Sequence, residues 1–212
     1  MVTRTLQRTI DTMDQLRSII ESPAPDALSI LKEKDYLDEH CQAFIAQSPF
    51  LLLATASRDG RCDISPRGDA PGFVLVLDER TVVLPDRPGN RRLDSMENMI
   101  DNPHAALIFL VPTMEETLRV QGRATIVEDD DLLAQMAVRG KAPRLGIVIE
   151  TEEVYFQCAK ALKRSKLWDP ASWIDREQLP SFARILADQV KQPDRSVEVI
   201  DEQLKASAER LY

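Results

Sequence analysis

The sequence predicts a mainly β domain with helical extensions at both ends, an α+β chain whose strand-rich middle favours a closed barrel. Two observations carry this. Between Phe50 and Gln157, short runs of β-branched and other apolar residues alternate with turn formers at close spacing. On either side, the apolar residues instead recur at steps of three and four, the helical period.

From the amino terminus, Leu6, Ile10, Met13, Leu16 and Ile20 predict an amphipathic helix over Thr3 to Ile20, stopped by Ser22-Pro23-Ala24-Pro25-Asp26. A second helix places Leu37, Cys41, Phe44 and Ile45 on one face. It ends at Ser48-Pro49, because proline drives its predecessor out of helical dihedrals. Strands are expected at Phe50–Ala56, Arg61–Ser65, Phe73–Leu77, Thr81–Leu84, Ala105–Val111, Leu118–Val127 and Leu145–Phe156. Arg58-Asp59-Gly60 and Asp78-Glu79-Arg80 serve as hairpin connections. Two helices interrupt the strands. One spans Asn90 to Ile100, and the other opens at Asp129-Asp130-Asp131, whose acids suit the positive end of a helix dipole. Beyond Trp168 two further helical stripes follow, on Phe182, Ile185, Leu186 and Val190, and on Val199, Ile200 and Leu204. The expected domains are a helical extension over 1–47, a strand domain over 48–170 and a helical tail over 171–212.

Composition narrows the function. A formal charge of −8 on 212 residues disfavours nucleic acid as a partner. No run approaches a membrane span, and the first ten residues lack the apolar core of a signal peptide, so a cytoplasmic protein away from membranes is expected. Cys41, Cys62 and Cys158 suggest neither a disulfide framework nor a zinc site, and His40 and His104 have no metal-ligand spacing, so no metal is expected. The usual esterase, P-loop and dinucleotide motifs are missing, and no catalytic side chain can be assigned; chemistry here would belong to a bound cofactor.

Three clusters could hold one. In Pro85-Asp86-Arg87-Pro88-Gly89-Asn90-Arg91-Arg92, a strand end leads into an expected helix start that carries two cations. Cations in a first helical turn face the positive pole of the dipole at a cost of about 0.3–1 kcal/mol each, which an anion such as a phosphate monoester would relieve. The alternative is that both arginines face water and pair with Asp94 or Glu97. Lys160 to Trp168 gathers four cations and a tryptophan without an acid. It reads either as a solvated basic face or as a wall for a planar anion. Asp63-Ile64-Ser65-Pro66-Arg67-Gly68-Asp69 ends a strand in polar residues, or forms only a turn with Arg67 paired to Asp69.

In order and spacing, these clusters resemble the pyridoxamine 5′-phosphate oxidase-like FMN-binding split-barrel family over roughly Pro49 to Pro170. The carriers are the Ser48-to-Ala56 run, Asp63 to Asp69 with Pro71-Gly72-Phe73, Gly89-Asn90-Arg91-Arg92 with Asn102-Pro103, Leu118 to Ala124, and Cys158 to Pro170. They resemble especially the FMN-dependent branch of uncertain substrate. The resemblance implies a six-stranded antiparallel split β-barrel working as a homodimer, with FMN in clefts between the subunits. It implies that Arg91 and Arg92 hold the FMN phosphate, with Asn90 and the backbone of Leu84, Pro85 and Asp86 alongside. Ser65 and Arg67 would line the cofactor, and Lys160, Arg164, Ser165 and Trp168 would reach it from the partner chain. Oxidases of vitamin B6 grip their substrate with Arg and His near the carboxyl end, whereas this chain ends Glu209-Arg210-Leu211-Tyr212. The implied activity is therefore an FMN-dependent oxidoreduction of an unidentified small molecule. The other readings are a non-catalytic flavin store or sensor, or a barrel holding deazaflavin or haem.

Overall fold

The computed structural model describes residues 8–212. The chain divides into two compact units, 1–33 and 34–212. In the first, α1 (Met13–Arg17) starts at Thr12, whose side chain accepts from the Gln15 N–H, and α2 (Leu28–Leu31) is a single turn. Neither helix buries a residue. The helix expected over Thr3 to Ile20 is thus shorter within the described residues, because Thr12 caps it late and Ser18 ends it; its stretch before residue 8 lies outside them.

The second unit is built on one antiparallel sheet. Its strands are β1 (Phe50–Ala56), β2 (Cys62–Gly68), β3 (Leu75–Asp78), β4 (Thr81–Pro85), β5 (His104–Leu110), β6 (Thr117–Val127) and β7 (Gly146–Gln157). Their order is β2-β1-β5-β6-β7-β4-β3. The seven runs read from the residues all form strands, whereas the resemblance implied six. The seventh arises because Asp78-Glu79-Arg80 folds β3 back on β4 as a hairpin of its own. No backbone ladder joins β2 to β3 among the described strands, so the pairing is that of an open sheet.

The core lies on one face of this sheet. Leu51 and Leu53 of β1, Leu107 and Phe109 of β5, Leu118 and Val120 of β6, and Ile147 and Ile149 of β7 are all fully buried. Helix α3 (Glu39–Gln47) belongs to this unit and adds Cys41, Phe44 and Ile45 to the same core. Asp38 caps α3 by accepting from the Cys41 N–H and also pairs with Lys34 at 2.5 Å. Helix α4 (Asp94–Asp101) contributes Met96 and Met99, and α5 (Asp130–Ala134), capped by Asp129, seats Leu133 beside Val83. The chain then continues through α6 (Lys160–Ser165), α7 (Phe182–Val190) and α8 (Val197–Ala208), the last two capped by Ser181 and Ser196.

Candidate functional site

The site begins with an anomaly of β2. Its register sets Arg67 opposite Leu51, Ser65 opposite Leu53 and Asp63 opposite Thr55, so these three polar side chains share the face that is apolar on β1. Polar groups at the margin of a core need partners, and each has one. The Ser95 hydroxyl, buried on α4, donates to Asp63 Oδ2 at 2.5 Å and stands 3.2 Å from Ser65 Oγ. Arg67 donates from Nε to Ser65 Oγ at 3.0 Å and from a terminal nitrogen to Asp86 Oδ1 at 3.1 Å. Deeper, Asn98 donates to Thr55 Oγ1 at 3.1 Å.

Asp86 follows β4, next to the far edge of the sheet. Its pair with Arg67, and that of Arg87 with Asp69 at 2.7 Å, show that the sheet curls until its two ends meet through side chains. The alternative of Arg67 paired to Asp69 is not what forms: each arginine reaches across the seam instead. Both pairs are largely shielded; the Asp69 side chain is 3% exposed and that of Arg87 16%. Burial alone would push the Asp69 carboxyl up, but the Tyr212 hydroxyl, the Ala70 N–H and Arg87 together hold it below its ordinary value.

The loop leaving this seam carries the twin arginines. Asn90 Oδ1 accepts from the Arg92 N–H at 3.0 Å. Arg91 at φ 61° and Leu93 at φ 65° are both left-handed, and side-chain-bearing residues adopt that region at a cost of about 1–3 kcal/mol each. The helix therefore starts at Asp94, not Asn90, and both arginines precede it. The dipole conflict expected in a first turn is absent; Asp94 and Glu97 occupy that turn instead. Leu93 supplies no side-chain cap, so no side-chain hydrogen bond spends the opening N–H groups of α4 at its N-cap. Arg92 pairs with Asp94 at 2.7 Å, which lowers the Asp94 pKa and raises that of Arg92. Arg91 is exposed and has no acid within ion-pair distance among the described residues. Arg61, Cys62, Asp63, Arg92 and Asp94 line a polar cleft of about 620 Å³.

The structure thus brings Ser65, Arg67 and Asp86 into one hydrogen-bonded cluster, with Leu84 and Pro85 buried just before it and Asn90, Arg91 and Arg92 on the loop just after. It does not bring the basic segment to them within one chain. Lys160, Arg164 and Ser165 are exposed on α6, where the Ser165 hydroxyl donates to its own helix at Leu162 O. Trp168 donates from Nε1 to Met114 O at 2.7 Å, beside the β5–β6 turn. Sequence reading missed the roles of Asp63, Ser95 and Asp69. For Asp63 and Asp69 the signal was alternation, since Asp63, Ser65, Arg67 and Asp69 stand at every second position along β2 and just past it; Ser95, on α4, had none.

Against this geometry, a family model described as pyridoxamine 5′-phosphate oxidase matches residues 37–158, more than half of the chain. The chain belongs to the pyridoxamine 5′-phosphate oxidase family. The matched span includes α3, the whole sheet and the seam, and stops just before the basic helix α6. Two curated relatives are pyridoxine/pyridoxamine 5′-phosphate oxidases of Cupriavidus necator and Cupriavidus taiwanensis. Each is 30% identical over 128 residues, covering 58% of this chain and 53% of the relative. The chain therefore spans about half the length of the curated relatives it matches. Solved structures with a similar fold include HupZ of Group A Streptococcus, at 17% identity, covering 57% of this chain and 99% of that one with a TM-score of 0.46. An FMN-binding protein of Syntrophomonas wolfei gives 10% identity, coverage of 54% and 81% and a TM-score of 0.42. HutZ of Vibrio cholerae, described as a heme storage protein, gives 18%, coverage of 57% and 93% and 0.41.

Proposed function

We propose that this family member is an FMN-binding flavoprotein, an FMN-dependent oxidoreductase for a small molecule still to be identified, whose curled sheet is the family's split barrel. The observation that carries this reading is the seam: a hydroxyl, an arginine and a carboxylate converge at Ser65, Arg67 and Asp86, and the loop beyond them presents Arg91 and Arg92 ahead of an uncapped helix start. The donor set fits a phosphate monoester. Arginine forks and backbone N–H groups bind its oxygens. The acids among them are no obstacle where they are exposed, since a surface pair such as Arg92–Asp94 is worth about 0–1 kcal/mol and is cheaply exchanged.

When bound, the flavin supplies the hydride chemistry, so the scarcity of nucleophiles and metal ligands in the chain is no handicap. The protein's part is positional. Arg91, Arg92 and Asn90 hold the phosphate, Ser65 and Arg67 line the cofactor, and the buried Leu84 and Pro85 fix the strand end from which the loop departs. Lys160, Arg164, Ser165 and Trp168, unconnected to the cluster within one chain, act on the site of a second copy in a homodimer.

The test is FMN titration of the double variant Arg91→Ala, Arg92→Ala. Charge-assisted hydrogen bonds contribute about 1.5–3 kcal/mol each, so affinity should fall by roughly tenfold or more. Unchanged affinity would move the phosphate elsewhere. Turnover of bound FMN with a panel of reductants, compared with free flavin, separates an enzyme from a flavin store, and the absorption spectrum of the purified protein separates FMN from haem.

A further inference from the structure

Arg87 and Asp69 answer to a third residue. Tyr212, 143 positions from Asp69, donates its hydroxyl to Asp69 Oδ1 at 2.5 Å. Its ring lies 5.8 Å from the Arg87 guanidinium and 5.4 Å from that of Arg139, and its backbone carbonyl accepts from Lys141 Nζ at 3.4 Å. Both oxygens of the Asp69 carboxylate are engaged: Oδ1 accepts from Tyr212 and from the Ala70 N–H at 2.7 Å, and Oδ2 from Arg87 Nε at 2.7 Å. A shielded carboxylate held on both oxygens keeps its arginine in one place.

The consequence runs through the next few residues. Asp86 is fixed by Arg67 and Arg87 by Asp69, so two consecutive residues clamp the root of the loop that carries Asn90, Arg91 and Arg92. The tyrosine braces the second clamp twice over, by its hydroxyl on Asp69 and by its ring against Arg87. We infer that Tyr212 is a positioning residue for the anion-binding loop, acting through Asp69 and Arg87. Its effect should fall on the phosphate of a ligand and not on the ring. This inference rests on the phosphate site proposed above.

The experiment compares FMN with riboflavin, which lacks the phosphate, by titration of the full chain and its Tyr212→Phe and Tyr212→Ala variants, with Arg91→Ala, Arg92→Ala alongside. Losing one hydroxyl contact should cost Tyr212→Phe about threefold in FMN affinity, and losing the ring as well should cost Tyr212→Ala about tenfold. Riboflavin affinity should hold in both, so that the FMN-to-riboflavin ratio falls. A ratio unmoved by the tyrosine variants, while the double arginine variant lowers it, overturns the inference and leaves the phosphate site intact. Equal weakening of both ligands assigns Tyr212 to general stability and also overturns it. A ratio unmoved in the double arginine variant overturns the phosphate site first. Should Tyr212→Ala fail to fold, Tyr212→Phe, which keeps the ring, decides the question.

Discussion

Cys41 shows how far a single side chain's surroundings fix its chemistry. Burial in the core beneath α3, with Asp38 close by, pushes its thiol up to about 12, whereas Cys62 and Cys158 are exposed. The thiolate is the reactive form. Iodoacetamide at pH 8 should therefore modify Cys62 and Cys158 and spare Cys41 in the folded protein, as peptide mass spectrometry would read; modification of Cys41 at a similar rate would contradict its burial. At this scale the sequence reading offered the wrong partner for an arginine it had singled out. Arg67 was visible as a site candidate, but its acid is Asp86, 19 positions away, because only the curl of the sheet brings those two together. Local spacing reports neighbours along the chain, and a seam is made of residues distant in it.

Among the elements, the strands were the most legible, since β1 and β4 to β7 fall within a residue of the boundaries their apolar runs suggest and β2 and β3 within three. The start of α4 was not, because Arg91 and Leu93 adopt left-handed dihedrals that no propensity signals. Nor was the bulge in the longest pairing. In β6–β7 the register passes from Gln121 opposite Glu153 to Gly122 opposite Thr151, leaving Glu152 as the extra residue. A side chain at Gly122 would place its Cβ 1.9 Å from the Glu150 carbonyl oxygen. Backbone cannot yield as a flexible side chain would. Gly122→Ala should cost about 1–3 kcal/mol, seen as a lower Tm in thermal unfolding; a Tm equal to that of the parent would show that the two strands can part at the bulge without loss.

Taken whole, the second unit carries a second apolar face. Strands β1 and β5 are apolar on both sides: Leu51, Leu53, Leu107 and Phe109 face the core, while Leu52, Ala54, Ala106, Ile108 and Leu110 face the other way. A sheet that is apolar on both faces is normally covered on both. Ile64 and Phe50, 66% and 39% exposed, extend this outward face. On the neighbouring β6, the Arg119 guanidinium lies 5.2 Å from the Tyr155 ring, and its buried Nε has no hydrogen-bond partner among the described residues. These observations support the homodimer proposed above, formed by a self-complementary contact around a two-fold axis. Ile64→Glu should shift the protein toward monomer in size-exclusion chromatography with light scattering, and should weaken FMN binding in parallel, because Lys160, Arg164 and Trp168 would no longer reach a partner's site. A variant that stays dimeric would place the contact elsewhere.

The seam itself sets how such a site can be filled. Where the sheet closes on itself, two guanidinium–carboxylate links join its ends among the described residues, with no amide ladder between β2 and β3. Separating those ends would break shielded ion pairs and no strand pairing, so every hairpin would keep its register.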